Sequence, residues 1–212
     1  MQQEKQNLEF PQAPEGRPSF EAPSKKQEAV DSLKTFIWET VKIIIISLII
    51  IIPVRYYLIQ PFYVSGASME PNFYDHEYLI IDEISYRFNE PQRGDIIVFK
   101  YPKNPSDYFI KRVIGLPGEK ITIASNKITV ANAENPGGFI LDESLYLPAN
   151  TPTPNDINIT LGQDEYFVLG DNRTSSLDSR TFGPITRSDI IGRTWVRGWP
   201  LNQFTVFERP EY

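Results

Sequence analysis

Residues 36–58 read FIWETVKIIIISLIIIIPVRYYL, and the centre, 43–52, is IIIISLIIII with eight isoleucines. As a helix these 23 residues are roughly 35 Å long. A hydrocarbon core is about 30 Å thick, so the segment spans it with some tilt. Each central Ile or Leu favours insertion by about 0.3–0.6 kcal/mol, and nine of them by roughly 3–5 kcal/mol. Glu39, Lys42 and Arg55 lie toward the ends, where long basic side chains snorkel. Pro53 near the far end has few helical bonds to break. A buried soluble helix is the plainer alternative, but it would be apolar on one face and not all round. A cleavable signal peptide is the other. The leading tail of more than thirty residues is too long for it, and the small-residue patch Ser65-Gly66-Ala67 sits well past the apolar run.

Outward from the span, the two flanks differ. Residues 1–24 carry Pro11, Pro14, Pro18 and Pro23 among Gln, Glu and Ser, and predict a flexible tail. Ser24 and Gln27 form a capping-box pattern, so a helix is expected over 25–59, including the span at 36–58. Lys25, Lys26 and Lys34 precede the span, and after Arg55 the next basic residue is Arg87. The positive-inside rule then puts the tail in the cytoplasm and the bulk across the membrane.

Composition narrows the chemistry. Cysteine is absent from the 212 residues, which excludes disulfides, thiolate nucleophiles and cysteine zinc sites. A single histidine, His76, excludes a multi-histidine metal cluster. No cofactor or metal is expected. The net charge is −6 with no basic segment, which argues against nucleic acid as a partner. Residues 61–212 hold 14 basic and 20 acidic residues, so electrostatics would not hold this region on anionic lipid.

Residues 60–212 read as β-rich. Apolar or alternating runs lie at 78–82, 95–100, 108–114, 120–124, 127–131, 165–169 and 190–199, punctuated by Gly, Pro and Asn. A hairpin is expected to turn at Ser125-Asn126-Lys127, with the turn type open. Short strands without helices between them predict a mainly β, antiparallel barrel or sandwich behind one N-terminal transmembrane helix. Residues 132–160, with many Pro and Asn, predict a long loop.

Three clusters carry chemical potential. In Ser65–Pro71, small residues surround Ser68, as a serine nucleophile with backbone N–H groups nearby requires; a structural turn is the plainer reading. In Tyr108–Gly115, strand alternation sets Phe109, Lys111 and Val113 on one face and Ile110, Arg112 and Ile114 on the other. Lys111 thus has apolar neighbours, and burial lowers a lysine pKa toward the range of a general base. Snorkelling from a sheet edge is its plainer reading. In Gly170–Arg180, hydroxyls could orient a neutral amine, and Asp178 with Arg180 could brace the loop; an Asx-rich turn is the alternative.

The three clusters, behind a span, resemble bacterial type I signal peptidase (leader peptidase). The matches stand in the family's order: a serine box at Ser65–Pro71, a strand box at Arg93–Phe99, a lysine box at Lys111–Glu119, and a last box at Gly170–Arg173 with Ser176, Asp178, Ser179 and Arg180. Four ordered boxes over roughly residues 36–200 are a specific signal.

The resemblance implies a membrane-anchored serine endopeptidase. Ser68 would be the nucleophile and Lys111 the general base, with Ser176 orienting the Lys111 amine. Asp178 and Arg180 would form the supporting ion pair. The Ser68 N–H would donate to the oxyanion. Some members add a serine hydroxyl two positions before the nucleophile, where this chain has Gly66. Phe62, Val64 and Ile110 would line shallow pockets for small side chains. The substrate implied is a secreted preprotein, cut after an Ala-x-Ala-like sequence, and the other partner is the lipid bilayer. Oligomeric state is not legible.

Rival readings remain. A triad could use His76, and Glu70 could be offered as an acid. A self-cleaving repressor-type Ser/Lys protease would carry a basic DNA-binding domain in place of the span. A catalytically dead anchored module could capture extended peptides at a sheet edge. Retention of Ser68, Lys111 and Ser176 together favours catalysis.

Overall fold

The computed structural model describes residues 25–53, 59–149 and 151–210. The expected tail, 1–24, lies outside the described residues. The chain forms two compact units that divide between Ile49 and Ile50.

The first helix, α1 (Lys25–Pro53), starts where the capping pattern predicts and runs for 29 residues. Its segment Val30–Pro53 is long and apolar enough to cross a membrane. Each isoleucine of 43–52 is at least 50% exposed, so no face is packed as a soluble core helix would be. Thr40 turns its hydroxyl back to the Phe36 carbonyl at 2.8 Å, which satisfies it within the helix. The helix is described as far as Pro53. Residues 54–58, the rest of the expected span, lie outside the described residues, and Ile59 opens a strand.

The second unit is mainly β. Its strands are β1 (Ile59–Tyr63), β2 (Tyr78–Asp82), β3 (Ile96–Tyr101), β4 (Asn104–Gly115), β5 (Lys120–Ala124), β6 (Lys127–Ala131), β7 (Phe139–Ile140), β8 (Ile157–Thr160), β9 (Glu165–Leu169), β10 (Ile185–Thr186), β11 (Ile190–Trp199) and β12 (Thr205–Val206). Two four-residue helices, α2 (Ser85–Phe88) and α3 (Ser179–Phe182), sit between strands. One sheet runs β1-β2-β11-β3-β4-β9-β10, with β12 on β11; a smaller sheet runs β7-β6-β5-β8. All these pairs are antiparallel.

The strands nearest the boxes read as continuous apolar runs because both their faces are covered. Along β3, Ile97 and Phe99 enter a cluster with Val113, Tyr166 and Val168. Ile96 and Val98 face the other way, into a cluster with Val64, Met69 and Phe73. On β4, Ile114 joins a third cluster, formed with the isoleucines of β5 and β6.

Two expectations change. Ser125 (φ 52°) and Asn126 (φ 61°) are both left-handed, so the β5–β6 loop is a two-residue mirror-image turn and Lys127 already belongs to β6. The segment expected as one long loop, 132–160, contains β7 and β8. Both are short, and they exist through pairing with β6 and β5, which their own composition does not carry.

Candidate active site

Ser68 lies on the turn between β1 and β2. Val64, Met69 and Phe73 are buried in the core and pin that turn from below. The Phe73 N–H donates to the Met69 carbonyl at 2.9 Å, and the Val64 N–H to the Glu77 carbonyl at 2.9 Å. Gly66, with φ +93°, holds a backbone conformation that a side chain would strain. Its N–H is tied to Asp75 Oδ1 at 2.9 Å.

Lys111 comes from the middle of β4, opposite Ile97 of β3. Its Nζ lies 2.8 Å from Ser68 Oγ and 2.7 Å from the Ile110 carbonyl. The side chain does not snorkel, since the residue is 4% exposed. Burial pushes its pKa down to about 8, and the charges of Asp178 and Asp171 partly oppose that shift. At pH 7 the free amine is then about one molecule in ten, against about one in 2,500 for an ordinary lysine.

Behind Lys111, the segment after β9 closes the site. Gly170 leaves room for a close approach: a Cβ there would stand 2.1 Å from Ser176 Oγ and 2.5 Å from the Ser68 carbonyl. Asp178 takes the Gly170 N–H at 3.1 Å and caps α3. Arg180 grips Asp178 through Nε at 2.8 Å and Nη2 at 2.7 Å, with both side chains buried. Ser176 is brought against the site, but its buried hydroxyl has no hydrogen-bond partner. The Lys111 contacts are Ser68 and the Ile110 carbonyl, so the expected Ser176–Lys111 bond is not formed here.

Phe62, Val64 and Ile110 line one groove with Ser68 and Lys111; Leu79, Val98 and Leu177 add to its wall, and it encloses about 250 Å3. Such a groove suits small side chains and an extended backbone. His76 faces solvent beside Asp75, its Nδ1 2.9 Å from Oδ2, and makes no hydrogen bond to Ser68.

The boxes are joined by buried contacts that sequence reasoning did not assign. Arg93 of the strand box pairs with Glu119 of the lysine box at 2.5 Å. Arg112 holds Asp171 through two bonds of 2.8 and 2.7 Å and lies over the Tyr146 ring. Arg173 is fully buried against Glu143 and Thr153 Oγ1. Arg93, Arg112, Asp171 and Arg173 all stood inside the quoted boxes, so a search for opposite charges between boxes was the available signal. Glu143 and Thr153 lay in the supposed loop and gave none.

The family model described as signal peptidase, peptidase S26, matches residues 37–199. The chain belongs to this family. It is 37% identical over 183 residues to a probable signal peptidase I-2 of Synechocystis sp., covering 84% of this chain and 79% of that one. It is 34% identical over 203 residues to a signal peptidase I of Leptolyngbya laminosa, covering 91% of each. It is 30% identical over 190 residues to signal peptidase IB of Staphylococcus aureus, covering 84% of this chain and 98% of that one. The signal peptidase reaction is endoproteolytic removal of signal peptides from preproteins, and this chain is a serine endopeptidase of that kind. Its apolar N-terminal helix fits a membrane-anchored enzyme.

Proposed function

We propose that Ser68 and Lys111 are the nucleophile and general base of this signal peptidase, with the catalytic unit, 60–212, on the extracytoplasmic side and the N-terminus in the cytoplasm. The carrying observation is the 2.8 Å contact between a buried lysine amine and a serine hydroxyl in an apolar groove.

Neutral Lys111 keeps one N–H on the Ile110 carbonyl and offers its lone pair to the Ser68 hydroxyl. Oγ bonds to the scissile carbonyl carbon as its proton passes to Nζ. The Ser68 N–H stabilises the oxyanion. The C–N bond then breaks, and Nζ returns the proton to the leaving amine. Water attacks the acyl-enzyme, giving a proton to Nζ, and Oγ leaves with that proton. Asp178 and Arg180 brace the loop behind the amine. In this reading Ser176 turns its unpartnered hydroxyl to the amine during the cycle. An extended preprotein lies along the groove, where Phe62, Val64 and Ile110 accept Ala-x-Ala-like side chains. Tethering enzyme and substrate to one bilayer raises their effective concentration.

The test uses the detergent-solubilised full chain and a preprotein. Wild type cuts it; Ser68→Ala and Lys111→Ala do not. Cleavage that survives both substitutions refutes the dyad, and capture of preprotein by wild type without cleavage favours a binding module.

A further inference from the structure

Asn172 meets the serine turn twice. Its backbone N–H donates to the Ser68 carbonyl at 3.0 Å. Its side-chain Nδ2–H donates to the Ala67 carbonyl at 3.0 Å. That carbonyl also accepts the Glu70 N–H at 3.2 Å. The amide is itself oriented: the Ala67 carbonyl can only accept, so it takes Nδ2–H, and Oδ1 on the other side accepts from the Thr174 hydroxyl at 3.3 Å.

The Ala67–Ser68 peptide is trans. In a planar trans peptide the C=O and N–H point in opposite directions. Holding the Ala67 carbonyl toward Asn172 therefore aims the Ser68 N–H away from it. Among the described residues no acceptor takes that N–H, and Ser68 lines the substrate groove. A carbonyl that accepts two hydrogen bonds also polarises its peptide and strengthens the N–H as a donor. Gly66 supplies no hydroxyl, and its own N–H is committed to Asp75. The direction of the Ser68 N–H then matters more than it would beside a second donor.

We propose that Asn172 is a positioning residue that aims the Ser68 N–H at the oxyanion. The proposal rests on the reading of Ser68 as nucleophile. Asn172 touches no reacting atom; it acts through the Ala67–Ser68 peptide plane. The proposal separates transition-state stabilisation from substrate binding and from the titration of Lys111.

The test compares wild type, Asn172→Ala and Asn172→Asp, with Ser68→Ala and Lys111→Ala as controls. Asn172→Ala keeps the backbone bond to Ser68 and loses the amide. Asn172→Asp keeps the shape and sets an oxygen against the Ala67 carbonyl. Losing an oxyanion donor outright costs about 10²–10³ in kcat, so mis-aiming one is expected to cost about 10- to 100-fold. KM should stay within about threefold, since a ground-state carbonyl makes little use of the donor. The pH midpoint of kcat should not move. Affinity for a peptide aldehyde, whose adduct with Ser68 carries the oxyanion, should fall by the same factor as kcat. Activity is read per active site, so a merely structural loss lowers the number of sites and leaves kcat alone. Wild-type kcat in both variants overturns the proposal, as does a fall in kcat with aldehyde affinity kept. Should both variants lose their thermal transition, exposed Thr174→Val removes the hydrogen bond that steadies Asn172 Oδ1 and loosens the amide against Ala67, and kcat and aldehyde affinity should drop together by about threefold; an unchanged Thr174→Val then overturns it. Cleavage by either control variant overturns the dyad instead.

Discussion

Under the four-stranded sheet, Ile121, Ile123, Ile128, Val130, Leu141 and Leu161 close an aliphatic interior, whereas around Lys111 the buried groups include Arg112, Asp171, Arg173 and Asp178. Both regions exclude water. In the first, burial is itself the stabilising term, at about 25 cal/mol per Å2. In the second, burial costs free energy unless each charge finds a partner. Arg112, Arg173 and Arg180 find theirs in Asp171, Glu143 and Asp178. Lys111 is given a hydroxyl and a carbonyl and no carboxylate in hydrogen-bond contact. The region proposed to carry the chemistry thus keeps, among the described residues, one charge without an ion-pair partner, and the other region has none to keep.

The sharpest way to break this contrast is Lys111→Met. Loss of the proposed base should lower kcat/KM by about a thousandfold, while the folded state at pH 7 gains stability. The folded pKa of about 8 lies below the ordinary 10.5. Below pH 8 folded and unfolded chains both hold the proton, and the burial penalty, about 3 kcal/mol, is fully present. Between pH 8 and 10.5 the unfolded chain keeps the proton and the folded chain releases it, so wild-type stability rises with pH. Thermal melts of the two proteins at pH 7 and pH 10 should differ at the first and converge toward the second. Over the same range wild-type cleavage should climb to a plateau with a midpoint of about 8; a midpoint near 10.5 would remove the case for a desolvated amine.

Next in size, Asp178→Ala and Ile121→Ala should be compared. The first strands the buried Arg180 guanidinium and should cost about 3–5 kcal/mol together with activity. The second opens a cavity and should cost about 2–5 kcal/mol, yet leave kcat per folded molecule unchanged. Urea melts and active-site titration separate the two outcomes, and equal kinetic losses would erase the division of labour. The smallest effect belongs to the turn of the aliphatic sheet. Asn126→Gly should stabilise by less than about 1 kcal/mol, because glycine takes a left-handed φ without cost; a lower melting temperature would show that the Asn126 side chain contributes more than its backbone conformation.

Much of this was legible before the fold was known. The isoleucine run, the strands that carry Lys111 and Leu169, and the serine turn follow from periodicity and small-residue punctuation, which are local signals. The pairing of Asp178 with Arg180, two residues apart, was local as well. What escaped depends on partners outside the segment itself. β7 is two residues long and exists through Thr129 and Val130. Arg173 needs Glu143, thirty residues away. Asn172 reaches Ala67 across 105 positions. Ser176 is the instructive intermediate case: its neighbourhood was foreseen, and that its hydroxyl stands there without a partner is something no spacing encodes.

The anchor helix has a consequence of its own. Residues 43–52 present isoleucine or leucine on every side, broken only by Ser47. In a bilayer, spinning such a rod about its long axis would leave its contacts with lipid nearly unchanged. The segment sets depth and offers almost no azimuthal torque, and it has no distinct stripe by which another helix would recognise one side of it.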